Sequence, residues 1–188
     1  MTCMPKETRL WLLERARSAI LHAVAAGRAP TTPDLPPTGA EVLAGCFVSL
    51  HTRAGALRGC IGTFAETRPL WQAVDEMAAA AATQDPRFPT VAARELADIV
   101  LEISALTPCK PAKPEDVLVG RDGICVARGY QRGVLLPQVA ADRGWDAETF
   151  LDHTCVKAGL PANAWRDGSV QIETFTAEVF SEGNSRGC

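Results

Sequence analysis

Long hydrophobic runs are missing from this chain: no stretch approaches the roughly twenty apolar residues that a membrane-spanning helix requires. The opening segment MTCMPKETRLWLLERAR mixes charges into its apolar positions and lacks a secretory hydrophobic region, so a cytoplasmic location is expected. A basic excess is missing too. The 19 lysines and arginines against 22 acidic residues leave a net charge of −3, which disfavours nucleic acid as a partner, since non-specific binding draws on neutralised phosphates. Histidine is scarce, with His22, His51 and His153 far apart in sequence, and the cysteines include no CxxC pair. An odd, scattered set (Cys3, Cys46, Cys60, Cys109, Cys125, Cys155 and Cys188) argues against a disulfide framework or a structural zinc site and points to reduced thiols. Glycine-rich strand–helix junctions of the dinucleotide or Walker type are absent, so no intrinsic cofactor is expected. Aromatics make up only 6%, and the four tryptophans share no spacing; they read as separate core anchors rather than a stacking platform.

What is present is an ordinary globular mixture of 47% apolar and 22% charged residues over 188 positions. That length suits one domain, or a larger lobe with a smaller one grafted on, and buries about 70% of the extended chain's surface.

Apolar residues at three- and four-residue steps predict a helix over residues 7–27, with Gly27 able to close it. After a proline-rich loop, Phe47–His51 and Leu57–Ile61 read as a hairpin around Thr52-Arg53-Ala54-Gly55. Pro69 opens a second helix whose face is Leu70, Ala73, Val74, Met77, Ala78 and Ala81, slim enough to lie close to a sheet. TQDPRFP is a loop, because Pro86 keeps Asp85 out of helical geometry. Thr90 is expected to cap a short helix through Leu96, followed by a strand over Ile99–Leu106. Beyond the proline-marked turn near Pro108, short strands are expected at Val117–Val119, Ile124–Ala127 and Val134–Leu136. Asp146 caps a helix ending at Gly159, and Val170–Phe180 reads as one strand with a bulge near Thr174. Mixed order without βαβ alternation gives an α+β class with a mainly antiparallel sheet flanked by helices, and a smaller α/β lobe. The expected division is a larger lobe of about 1–107 plus 165–182 and a smaller lobe of about 108–164.

The blocks GCFVSLHTRAGALRGCIG, DPRFP with a following REL, LEISAL, GVLLPQV, FLDHTCVKAGL and IETFTAEVF resemble, in order, the AMMECR family, known in bacteria as AmmeMemoRadiSam system protein A. They span about residues 41 to 182, so the whole of 1–188 reads as a single domain of this type, with LRGCIG as the hallmark. The resemblance implies a larger α+β lobe built from both ends of the chain plus a smaller α/β lobe. It also implies association with a Memo-like protein and a radical SAM enzyme, hence a place in a metabolic or modification pathway. It supplies no reaction. Cys46 and the proline-poor FPTVAAREL segment depart from the family pattern.

The candidate site is a cleft around Arg58-Gly59-Cys60-Ile61-Gly62. Cys60 is the candidate thiol nucleophile, and Arg58, two residues away on a strand and hence on the same face, is the candidate cation beside it. Gly59 and Gly62 leave room for a ligand or, equally, for the alanine-rich helix 69–82, with Cys60 then a small core residue. His51 is the nearest candidate base in sequence, and Cys46, roughly opposite Cys60, is a conceivable redox partner. Asp85 and Arg87 can be presented to a small-molecule ligand by the proline-fixed loop, or can pair with each other while Phe88 anchors the loop. Glu102 is expected either to pair with Arg58 or Arg87 or to face solvent. Cys155 and Lys157 read as structural. Three functions follow: an enzyme or pathway component using Cys60, a non-catalytic adaptor presenting the RGCIG surface to the Memo-like or radical SAM partner, and, least supported, a nucleic-acid-binding protein.

Overall fold

The computed structural model describes residues 4–25 and 30–182. It divides into two compact units, Met1–Leu106 with Glu178–Cys188, and Thr107–Ala177. Residues 165–177 lie in the second unit rather than with the larger lobe, and Gly27, the expected helix closer, falls outside the described residues.

The first unit packs two helices, α1 (Lys6–Ala25) and α2 (Leu70–Thr83), against an antiparallel sheet. The sheet contains β1 (Cys46–Thr52), β2 (Leu57–Thr63), β3 (Ile99–Leu106) and β8 (Ala177–Ser181) in the order β2-β1-β3-β8. Alternation sorts the faces. Cys46, Val48 and Leu50 of β1 are buried with Leu101 and Ile103 of β3 in the core formed with Leu12, Ala16 and Ile20 of α1 and Ala73, Val74 and Ala78 of α2. Each fully buried aliphatic side chain here stabilises the unit by roughly 1.5–3 kcal/mol. Phe47, Ser49 and His51 have the opposite parity, are half-buried, and share the other face with Val100 and Glu102. The expected alanine stripe of α2 is buried throughout, and it brings the helix backbone unusually close to β2. A Cβ on Gly59 would stand 2.3 Å from the Ala81 carbonyl oxygen, so only glycine fits there.

The loop after α2 differs from expectation. A 3-10 helix runs over Ala93–Asp98, and Thr90 does not cap it; its hydroxyl donates to the Thr83 carbonyl instead, at 3.5 Å. The turn is closed by Glu95, whose carboxylate accepts from the Ala92 amide at 2.8 Å.

In the second unit, β4 (Lys110–Pro111), β5 (Gly123–Arg128), β6 (Gln131–Leu135) and β7 (Gln171–Phe175) form an antiparallel sheet of order β4-β7-β5-β6. Ahead of its covering helix α4 (Ala147–Lys157) comes a short helix, α3 (Pro137–Arg143). Phe150, Leu151 and Cys155 of α4 close over Ile124, Val126 and Ile172. Asp146 caps α4 as its position implied, accepting from the Thr149 amide at 2.8 Å. Three readings need correction. Val117–Val119 is a turn rather than a strand, because the Asp122 carboxylate and the Leu118 carbonyl tie residues 118–122 into a loop. The strand expected over Val134–Leu136 runs instead over Gln131–Leu135, because Leu136 caps helix α3, which starts at Pro137, a good first helical position. The final stretch is two strands in two sheets, not one bulged strand; the parity change near Thr174 reflects a change of sheet at Thr176.

Gly59→Ala is expected to destabilise the first unit by about 1–3 kcal/mol through forced separation of α2 from β2. The midpoint of urea unfolding measures it, and an unchanged midpoint would contradict the close helix–strand contact.

Candidate functional site

The ladder between β1 and β2 sets Cys60 opposite Ser49, and the ladder between β1 and β3 sets Ser49 opposite Glu102. These three side chains therefore form a row across three strands, on the sheet face turned away from the helices. Cys60 is half-buried, and the Ser49 hydroxyl donates to its sulfur at 3.2 Å. His51, two residues along β1 on the same face, places Nε2 4.0 Å from Glu102 Oε1. That nitrogen is buried and makes no hydrogen bond, while the His51 and Glu102 side chains remain 30% and 39% exposed.

The backbone of Cys60 points away from β1, toward the outer edge of β2, which is the edge strand of its sheet. An edge strand leaves amides and carbonyls unpaired. Here the DPRFP loop supplies the partners. Asp85 accepts from the Cys60 amide at 2.8 Å, and Arg87 donates to the Cys60 carbonyl at 3.2 Å. Asp85 and Arg87 are themselves joined by two hydrogen bonds, of 2.9 and 2.7 Å. The pair does the work of a neighbouring strand at one residue. The Asp85 side chain is 2% exposed, and the Arg87 guanidinium holds its carboxyl well below the usual carboxylate range, opposed by burial and assisted by the amides of Cys60 and Arg87. The Arg87 guanidinium in turn holds its proton above its ordinary pKa, chiefly through Asp85 and secondarily through the Cys60 side chain.

Arg58 is directed elsewhere. The register slips between Leu50 and His51, and the Arg58 guanidinium bonds both oxygens of Glu95, at 2.9 and 3.2 Å, and the carbonyl of Pro89 at 2.8 Å. It lowers the Glu95 pKa and fixes the loop against the strand. The guanidinium at Cys60 is thus that of Arg87, which reaches the backbone carbonyl from a loop 27 residues away in sequence. The two glycines are also spoken for: Gly59 admits the Ala81 carbonyl, and a Cβ on Gly62 would overlap the Phe47 ring at 2.2 Å. Cys46 pairs with Thr63, lies on the helix side of the sheet and is fully buried, which pushes its thiol up to about 12. Cys46 and Cys60 therefore occupy opposite faces and cannot be joined. Glu102 meets His51, not Arg58 or Arg87.

Ser49 was not among the sequence candidates, although a signal for it existed. Ser49 and His51 are the polar residues alternating with Val48 and Leu50, so once the hairpin register is known they must flank Cys60 and Glu102. Among the described residues, no group of three His, Cys, Asp or Glu side chains is placed to hold a metal ion, and no helix is long and apolar enough to cross a membrane.

An edge strand carrying RGCIG, held by a DPR loop and backed by an alanine-rich helix, is a defined α+β arrangement, and comparison with known proteins places it. The AMMECR1 family model matches residues 13–180, and the chain belongs to that family. A protein of Pyrococcus furiosus is 43% identical over 188 residues, covering 94% of this chain and 89% of its own length. One from Methanocaldococcus jannaschii is 46% identical over 151 residues, covering 76% of this chain and 75% of that protein. The crystal structure of the uncharacterised protein PH0010 from Pyrococcus horikoshii shares the fold with a TM-score of 0.82 and 38% identity, covering 98% of this chain and 96% of that one.

Two outcomes test this geometry. A maleimide reagent is expected to label Cys60 in the folded protein while Cys46 reacts only after unfolding; mapped peptides measure both rates, and equal rates would contradict the assignment of faces. Asp85→Asn is expected to cost roughly 1–3 kcal/mol at neutral pH. Because the folded pKa of Asp85 is depressed, its contribution is present above the unfolded pKa and fades as pH falls below about 4. The stability gap between wild type and variant should therefore narrow in acid, and a gap independent of pH would refute the role given to the charge.

Proposed function

We propose that this AMMECR1-family protein is a cytosolic pathway enzyme that uses the Cys60 thiol as a nucleophile toward an activated acyl group of a small molecule. The observation that carries the reading is the polar setting of a half-buried sulfur, with a hydroxyl donor from Ser49 at 3.2 Å and the Arg87 guanidinium held at the backbone carbonyl of the same residue. Both can compensate negative charge on sulfur once the thiol has given up its proton. The neighbouring Glu102 and His51 supply proton acceptors on the same face. In the proposed step the sulfur attacks the acyl carbonyl carbon, the bond to the leaving group breaks, and the proton from the thiol departs with that group. The product is a thioester on Cys60. Arg58 acts here as a positioning residue that holds the 89–95 loop on β2, and Asp85 with Arg87 fixes the backbone of Cys60.

A second reading is favoured by a specific observation. Gly59 and Gly62 are filled by the protein's own Ala81 and Phe47, so the glycine pattern needs no ligand. On that reading the RGCIG surface is an adaptor for a Memo-like or radical SAM partner, and no covalent step occurs.

Intact-mass and peptide analysis after incubation with a short-chain acyl thioester separates the two. An adduct on Cys60 that disappears in Cys60→Ala, with the fold preserved, is the expected result. No adduct on Cys60, together with unchanged binding of both partners by Cys60→Ala, would leave the adaptor reading standing and remove the enzyme.

A further inference from the structure

Helix α1 carries a second pattern that its own packing does not use. One side of it, with Leu12, Ala16 and Ile20, is buried in the core of the first unit. On the outer side Leu10 and Leu21 are 43% and 38% exposed, with Glu14 and Arg17 between them. Steps of four, three and four residues separate Leu10, Glu14, Arg17 and Leu21, which is the spacing of a coiled-coil seam, so the four side chains follow one line along the helix. At 1.5 Å per residue the two leucines stand about 16 Å apart on that line.

The surface along the line is recessed at both leucines. A recess of about 370 Å³ is lined by Leu10, Leu13 and Glu14, and another of about 480 Å³ by Leu21, Leu96 and Ile99, while Arg17 and Glu182 border both. Arg17 is held in place by the Glu182 carboxylate and by the Leu96 and Ile99 carbonyls. Those contacts use four of its five guanidinium N–H groups and leave one open on Nη1. The Glu14 carboxylate has no partner among the described residues. An open donor and an open acceptor therefore sit side by side in the middle of a seam that ends in exposed leucine at each side.

We propose that this face of α1 is the interface of a two-fold symmetric homodimer, in which α1 packs antiparallel against α1 of a second copy. In a two-fold contact, if residue i meets residue j then j meets i. An antiparallel alignment centred between Arg15 and Ala16 satisfies that rule with this sequence: Leu10 faces Leu21 of the second copy, and Glu14 faces Arg17, each pair occurring twice. Leu21 of the second copy then covers the recess beside Leu10, and its Leu10 covers the recess beside Leu21. The open Arg17 N–H gains the Glu14 carboxylate. A parallel alignment would set Glu14 against Glu14 and Arg17 against Arg17, and like charges within a seam oppose pairing. Any other partner would have to present the order apolar, acidic, basic, apolar in the reverse direction, and α1 is itself that complement. Burial of the exposed leucines drives the association, and the central charged layers fix its direction.

The test uses the full-length protein and light scattering over a range of concentrations, where a mass rising to twice that of one chain is expected. Leu21→Glu, at an exposed position, is expected to raise the dissociation constant at least about tenfold, because both leucine layers are lost, with the far-ultraviolet spectrum unchanged. Glu14→Arg is expected to weaken the dimer in the same direction by placing like charges in both central layers. A double variant, Leu10→Cys with Leu21→Cys, reads the register independently of affinity. Mild oxidation is expected to join position 10 of one chain to position 21 of the other, as mapped peptides measure. The two positions of a single chain cannot join, since a disulfide needs Cα atoms within about 7 Å. A mass of one chain at every concentration, a dissociation constant unmoved by Leu21→Glu, or links of 10 to 10 and 21 to 21 would each overturn the proposal.

Discussion

The first unit depends on how one residue at the edge of a sheet is satisfied. At Cys60 the outer amide and carbonyl of β2 find no neighbouring strand, and the Asp85–Arg87 ion pair takes that strand's place. A buried carboxylate is costly unless it is paired and fully hydrogen-bonded. Asp85 meets both conditions, with the guanidinium on one side and two backbone amides on the other. The same clamp blocks edge-to-edge association at this point and fixes the direction in which the Cys60 sulfur emerges.

The RGCIG sequence then resolves into separate physical demands. Gly59 is set by the approach of the α2 backbone, Gly62 by the Phe47 ring, and Arg58 by the Glu95 carboxylate with the Pro89 carbonyl. Cys60 alone presents its side chain to the half-exposed face, where Ser49, Glu102 and His51 converge. The polar groups on this face therefore concentrate in a row of side chains across three strands, while most of the RGCIG motif serves to hold that row in place.

Much of the fold was legible beforehand. Helices α1, α2 and α4, the β1–β2 hairpin and β3 follow from periodicity, from Pro69 and from the Asp146 cap, because long periodic segments carry their own burial pattern. The misreadings were local. Val117–Val119 has strand composition but is bent into a turn by the Asp122 side chain, and residues 170–180 hide a change of sheet that a single strand with a bulge imitates. Neither outcome can be read from composition, since each depends on where the partner strands lie.

By itself the sequence determined the class of fold, the hairpin that carries Cys60, the family, and the list of polar residues from which a site could be assembled. Only the tertiary structure decided which of them meet. Arg58 and Cys60 are near in sequence yet have different partners, whereas Ser49 reaches the sulfur from another strand and Arg87 reaches the Cys60 carbonyl from another loop. Alternation along a strand sets the face of a side chain. The identity of the group opposite is fixed by register and by the return of the 85–95 loop to the sheet edge, and those are long-range consequences of burying α2 against β1 and β2.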